Sequence, residues 1–228
     1  LHLSRWLRYP VLIIKTLVVF IKERPAITFV QNPSLLLTFL AVTYGRVFKV
    51  PTIVDAHNAG LYPLEGSSLL LNRLASFLLR WSDLTIVTNR VLAEYVISLG
   101  GRAFIMPDPM PVVVTKVAAP QLRLGFNILF VCSWAEDEPY LDVMRAANLL
   151  DNDVSIYITG NSRNREKGLS EGLSTNVVLT GFVSEGEYLA LLDACDAVMV
   201  LTRRDDCMLC GAYEAVAAGK PLVLSGSE

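Results

Sequence analysis

An apolar run long enough to cross a bilayer is missing from these 228 residues. The best candidate, residues 10 to 20 (PVLIIKTLVVF), is broken by Lys15 and falls short of the ~20 residues a spanning helix needs. No small-residue cleavage site follows it, and ERPAITFVQNP leads straight into a strand, against a signal peptide. Cysteine is scarce. The four residues, at 132, 195, 207 and 210, frame no disulfide scaffold, and a reducing compartment suits them best. Cys207 and Cys210 form a lone CxxC with no second pair and neither histidine nearby, so no metal site is called for. Cys132 and Cys195 sit among apolar neighbours and read as small core residues. No GxGxxG follows any predicted strand, which disfavours a dinucleotide-dependent oxidoreductase. With a pI near 5.8 and basic residues not interleaved with aromatics, nucleic acid is excluded as a partner. Repeats and low-complexity segments are also absent.

What is present is apolar and unevenly charged. Hydrophobic residues make up 53% of the chain and mean hydropathy is +0.45, ample for a core. Residues 1–110 carry 11 Lys and Arg against 6 Asp and Glu, whereas residues 111–228 carry 9 against 16. Arg5, Arg8, Lys15, Lys22, Arg24, Arg46 and Lys49 face only Glu23 in the first fifty positions. Two readings of the run 10–20 follow. One is a helix on an anionic membrane surface, a peripheral contact in which apolar face and cations add. The other is a core helix packed on a sheet, with its cations at the ends.

Strand-like and helix-like segments alternate. Candidate strands at 26–31, 52–57, 84–89 and 103–106 are separated by helices at 34–47, 67–81 and 90–99. The prolines at 107, 109 and 111 then break all regular structure. Beyond them the rhythm resumes: strands 126–133, 154–160, 176–181, 196–202 and 221–225, with helices 139–150, 185–194 and 212–218. The fold class expected is α/β, as two Rossmann-like domains, 1–110 and 111–228, facing a cleft. Each lacks elements that usually open or close such a sheet, which suggests a fragment.

The stretch RRDDCMLCGAYEAVAAGKPL (203–222) is the most informative. It follows a strand, passes through a short loop and enters a helix, whose N-terminal N–H groups suit a diphosphate. Asp206 and Glu214 stand eight positions apart around that helix start. The segment resembles the EX7E signature of GT-B glycosyltransferases, with Asp206 replacing the first Glu and Cys207 and Leu209 replacing small glycines. The resemblance implies that Asp206 lies near the donor sugar and Glu214 binds ribose hydroxyls. GFVSEGEYLALLDACDAVMVLT is similar to another segment of that family, implying base-side contacts at Gly181, Phe182 and Val183. The same residues also read as a strand-to-helix turn capped by Ser184, with Glu187 three positions on and Tyr188, Leu191 and Leu192 facing the core.

In the first half, FVQNP (29–33), IVDAHNAGLY (53–62) and VTNRVLAEYV (87–96) resemble the β-1,4-mannosyltransferase family acting on lipid-linked chitobiose. That implies a catalytic or orienting His57 facing the donor across the cleft, with Asp55 as its partner or the general base. A His that merely caps the strand turn is the other reading. SWAEDEPY (133–140) resembles the same family's SWTPDEDF, with Ser133 at the donor. Being acidic, it does not supply the usual Arg and Lys clamp for the diphosphate. Replacements are Arg203, Arg204, Arg163, Arg165 and the helix start at Leu209 and Cys210.

The function implied is transfer of a sugar from a GDP- or UDP-linked donor to a lipid-linked or polysaccharide acceptor, needing no metal or other cofactor. Such an enzyme, a hexosyltransferase and on the chitobiose resemblance a mannosyltransferase, would be cytoplasmic, at the cytoplasmic face of a membrane. A sugar-nucleotide epimerase of the same fold and a non-catalytic partner subunit are the alternatives. Retention and inversion are both open.

Overall fold

The computed structural model describes residues 5–114, 117–162, 173–204, 207 and 209–226, with the side chains of 5–7 and 65 left aside. The chain divides between Asp108 and Pro109 into two compact units.

The first unit is built on four parallel strands in sequential order, β1 (Thr28–Gln31), β2 (Thr52–Asp55), β3 (Leu84–Val87) and β4 (Ala103–Ile105). Helices α1 (Arg5–Glu23), α2 (Leu35–Phe48), α4 (Leu69–Trp81) and α5 (Arg90–Ser98) surround them. A short α3 (Asn58–Leu61) and a 3-10 turn (Pro63–Gly66) follow β2. Polar caps set the helix starts: Ser34, Ser68 and Asn89 each accept the N–H three residues ahead. Period-2 burial puts Val30, Val54 and Val87 on one face of the sheet, in one core with Val42, Leu78, Leu79, Leu92 and Val96 from the helices.

The second unit holds five parallel strands: β5 (Phe126–Phe130), β6 (Val154–Thr159), β7 (Val177–Gly181), β8 (Ala197–Val200) and β9 (Leu222–Leu224). Their spatial order is β7-β6-β5-β8-β9. Alternation along the central strands gives the sheet two apolar faces. Phe130, Ile156 and Ile158 pack with Tyr140, Val143 and Ala147 of α6 (Tyr140–Ala147). Leu129, Tyr157 and Val198 pack with Leu191 and Leu192 of α7 (Glu185–Ala194) and Ala215 of α8 (Cys210–Ala217). Both units use the same device before a strand: Asp83 and Asp196 accept the N–H of Thr52 and Asn127, at the start of the neighbouring strand, at 2.8 and 2.7 Å.

Every strand and helix expected from the pattern is present, with ends shifted by a few residues. The strands expected at 126–133 and 196–202 stop at Phe130 and Val200, because beyond these points backbone bonds turn to side chains. Cys132 N–H donates to Thr159 Oγ1 and Thr202 N–H to Ser225 Oγ. The helix expected over 139–150 ends at Ala147, capped by Asn148. The helix expected over 212–218 starts two residues earlier, at Cys210.

Candidate functional site

In the second unit, the chain leaves β5 to form β6 and β7 on one side and returns to form β8 and β9 on the other. The strand order therefore reverses between β5 and β8. Open parallel sheets bind ligands outside the carboxyl ends of the strands at such a reversal. Two loops and one helix start emerge there: residues 131–139, residues 201–204 and the N-terminus of α8.

Gly211 brings α8 close. A Cβ at this position would stand 3.1 Å from Val131 Cγ1 and 3.3 Å from Val200 Cγ2, one residue at the end of each flanking strand. Leu209 is the N-cap in extended conformation and offers no side-chain cap; Ala212 N–H bonds the Leu209 carbonyl at 3.0 Å, while among the described residues no side chain caps the N–H groups of Cys210 and Gly211. Glu214 lies one turn further and is half-buried. It accepts a 2.5 Å hydrogen bond at Oε2 from the Tyr188 hydroxyl of α7. Burial first, then this bond to a carboxylate, pushes the Tyr188 phenol above its ordinary value and keeps it a donor.

The acidic loop after β5 is organised around its own carboxylates. Glu138 accepts from Ser133 N–H (2.9 Å), Ala135 N–H (2.8 Å), Ser133 Oγ (3.0 Å) and Cys132 Sγ (3.4 Å). Trp134 adopts φ +65° between these donors and anchors its indole N–H on Thr159 O at 3.0 Å. Successive N–H groups bent around an anion form a nest, here filled by the chain itself. Ser133 is thus turned onto Glu138. Asp137, 13% exposed, reaches the other loop: its Oδ2 accepts from Thr202 Oγ1 (2.8 Å), its carbonyl accepts Arg203 N–H (2.8 Å), and its Oδ1 lies 3.3 Å from Arg204 Nη2. Arg203 pairs with Asp142 at 2.6 Å. Of the arginines expected to meet phosphate, Arg203 and Arg204 are therefore engaged by acids of the β5–α6 segment.

At the carboxyl end of β7, Gly181 takes φ +71° with open space where a Cβ would be. Phe182 projects 84% exposed, and Val183 packs into the core. Ser184 and Glu187 form a full capping box at the start of α7. Two strand spacings, about 10 Å, separate the ends of β7 and β5. Asp206, Arg163 and Arg165 lie outside the described residues. Cys132 and Cys195 are buried, their thiols pushed up to about 12 chiefly by burial. Burial also raises Cys207, the opposite of the depressed thiol a redox CxxC requires.

In the first unit, Asp55 ends β2 and His57 caps α3. Their Nε2 and Oδ2 atoms are 3.6 Å apart, beyond hydrogen-bond reach but close enough to attract a protonated ring. The side chains are 51% and 38% exposed, open to a ligand. The backbone that carries them is tied down by Asn32, fully buried after β1. Its side chain donates to Gly60 O (3.3 Å) and accepts from Thr38 Oγ1 (3.0 Å), while its N–H bonds Asp55 O (2.9 Å). Sequence reasoning gives Asn32 no role within FVQNP, places Tyr188 only as a core-facing residue, and marks neither Gly211 nor Glu138 as a site residue. A glycine inside a helix-forming run was the available signal for Gly211.

Residues 125–228, nearly the whole second unit, match the family model of the group 1 glycosyl transferases. No match was found among curated proteins. Solved structures with a similar fold include Anabaena HepE in complex with UDP and glucose (18% identity, TM-score 0.75, 93% of this chain and 62% of that one). Another is the apo lipopolysaccharide outer core galactosyltransferase WaaB (13%, TM-score 0.62, 97% and 63%). A third is the UDP-GlcNAc 2-epimerase of Methanocaldococcus jannaschii (14%, TM-score 0.55, 93% and 64%). The chain thus spans about three fifths of the length of each. The fold is GT-B, with two Rossmann-like α/β units.

Proposed function

We propose that the protein transfers a sugar from a UDP- or GDP-linked donor to a lipid-linked or polysaccharide acceptor. The observation that carries this reading is the β5/β8 reversal, where the α8 start, without a side-chain cap among the described residues, and the Glu214 carboxylate emerge together within the segment matching the glycosyl transferase family. In this reading the α8 N–H groups at Leu209, Cys210 and Gly211 hold the diphosphate, and Glu214 accepts from the ribose hydroxyls. The base lies toward Gly181 and Phe182, whose exposed ring offers a stacking face.

The departing diphosphate gains negative charge as the glycosidic bond breaks, and oriented N–H donors stabilise it without reorganising. With Arg203 and Arg204 paired to acids, the backbone supplies most of that stabilisation. Asp206 faces the sugar in the EX7E reading, and no metal is needed in this scheme. His57, with Asp55 beside it, acts on the acceptor hydroxyl as base or hydrogen-bond partner. The first unit meets the acceptor at a membrane surface: Tyr9, Ile14, Val18 and Ile21 of α1 are exposed beside Arg8, Lys15 and Lys22. Among the described residues no helix is long and apolar enough to cross a membrane.

Calorimetry with UDP, GDP and their sugars tests the reading. Binding of one nucleotide, weakened about tenfold or more by Glu214→Ala, is the expected result. Binding of none sinks it. Conversion of UDP-GlcNAc alone to an epimer would favour the epimerase, whose fold this chain also resembles.

A further inference from the structure

We propose that Tyr188 is a positioning residue that aims the Glu214 carboxylate at the ribose of the donor. The inference rests on the nucleotide-sugar reading above and extends it to a residue on a different helix.

Glu214 stands on the second turn of α8 and is only half-buried, so its three-torsion side chain would otherwise sample several rotamers. A carboxylate recognising a vicinal diol must present its lone pairs in one direction, and that order has an entropic cost on binding unless it exists beforehand. Tyr188 supplies it. The ring has two torsions, packs against the core that holds Tyr157, Val198 and Ala215 and sits one turn into a helix whose start is locked by Ser184 and Glu187. Its hydroxyl donates to Oε2 at 2.5 Å, the short distance of a charge-assisted bond. Among the described residues this is the hydrogen bond that holds Glu214. It uses one lone pair of one oxygen, so Oε1 and the second lone pair of Oε2 stay available as acceptors for ribose hydroxyls. The phenol stays protonated far above neutrality, so the donation persists across the working pH range. Because Tyr188 sits on α7 and Glu214 on α8, the bond also ties the ribose contact to the helix that begins beside Gly181 and Phe182.

The test is a binding cycle by calorimetry: wild type, Tyr188→Phe and Glu214→Ala, each with UDP and 2′-deoxy-UDP, or the guanosine pair if that base binds. Tyr188→Phe keeps the ring and its packing, and retained folding is read from the melting temperature. A positioning role predicts about a fivefold loss of affinity for the ribonucleotide and less than twofold for the 2′-deoxy form. A purely structural role would weaken both alike, and that result, or no change with either, overturns the inference. If wild type binds no nucleotide, or if Glu214→Ala leaves affinity intact, the donor-site reading fails first. If Glu214→Ala weakens binding and Tyr188→Phe does not, only the role of Tyr188 fails.

Discussion

Adding one methyl group at Gly60 pits two effects of opposite sign against each other. Gly60 lies in α3, three residues after His57, and has no left-handed backbone to relieve. On propensity alone, Ala in a helix gains up to about 1 kcal/mol over Gly. A Cβ there would, however, stand 2.2 Å from the backbone oxygen of Asn32 and 2.7 Å from its Cγ. Ordinary carbon–oxygen contact is about 3.2 Å or more, so α3 must move away by about 1 Å. That shift breaks the Asn32 to Gly60 O bond and leaves a fully buried amide short of a partner, at about 1–3 kcal/mol. Overpacking adds about 1–3 kcal/mol. Crowding therefore wins, and Gly60→Ala should destabilise by roughly 1–5 kcal/mol, lowering the melting temperature by about 3–15 °C for a chain of this size. Gly66→Ala is the control: φ is +75° and nothing lies within 4 Å, so it should cost only about 1 kcal/mol of backbone strain. Circular dichroism melts of both variants decide the matter. A Gly60→Ala protein as stable as wild type, or less affected than Gly66→Ala, would refute the account of how His57 is held.

Three further outcomes follow from the same geometry. Glu138→Ala removes acceptors from two N–H groups and a hydroxyl, so it should lower stability by about 2 kcal/mol in denaturant titrations, with Glu138→Gln intermediate; an unchanged midpoint would mean the loop holds without its anion. Cys132 and Cys195 have thiols pushed from 9.0 to about 12, so their contribution to stability is complete below about pH 9 and declines as the pH climbs toward 12; Cys132→Ala and Cys195→Ala should flatten that alkaline decline, and an identical slope would count against it. Vesicles containing anionic lipid should sediment the protein, Ile14→Glu with Val18→Glu should abolish this, and equal binding to neutral vesicles would remove the basic face from the argument.

Much of the fold was legible because it rests on periodicity. Alternating strand residues such as Phe126 to Phe130 and capping residues such as Ser184 with Glu187 act over a few positions, so local sequence specifies them. The spatial order of the strands was not, since it is set by which faces the crossover helices cover. The candidate site was legible only in part. Glu214 and the α8 start could be read from a contiguous motif. Tyr188, 26 positions away, read as a core residue because only packing brings its hydroxyl to Glu214. The acidity of SWAEDEPY was plain in sequence, but the partners of Asp137 and Glu138 were not, because they come from the turn at Trp134 and the loop after β8. Arg203 and Arg204 look like open cations for the converse reason.

Asp137 has one more consequence, for how the chain can change over time. It joins positions 65 residues apart, Thr202 through its carboxylate and Arg203 through its carbonyl. The lips on either side of the β5/β8 reversal are thus one mechanical piece, and neither can be redesigned alone. A substitution at Asp137 removes a contact from Thr202 and from Arg204 at once, and a longer loop after β8 pulls on the turn before α6. In descendants of this chain the two loops should be exchanged as a matched set, so that pair substitutions at 137 and 202 appear where single ones do not.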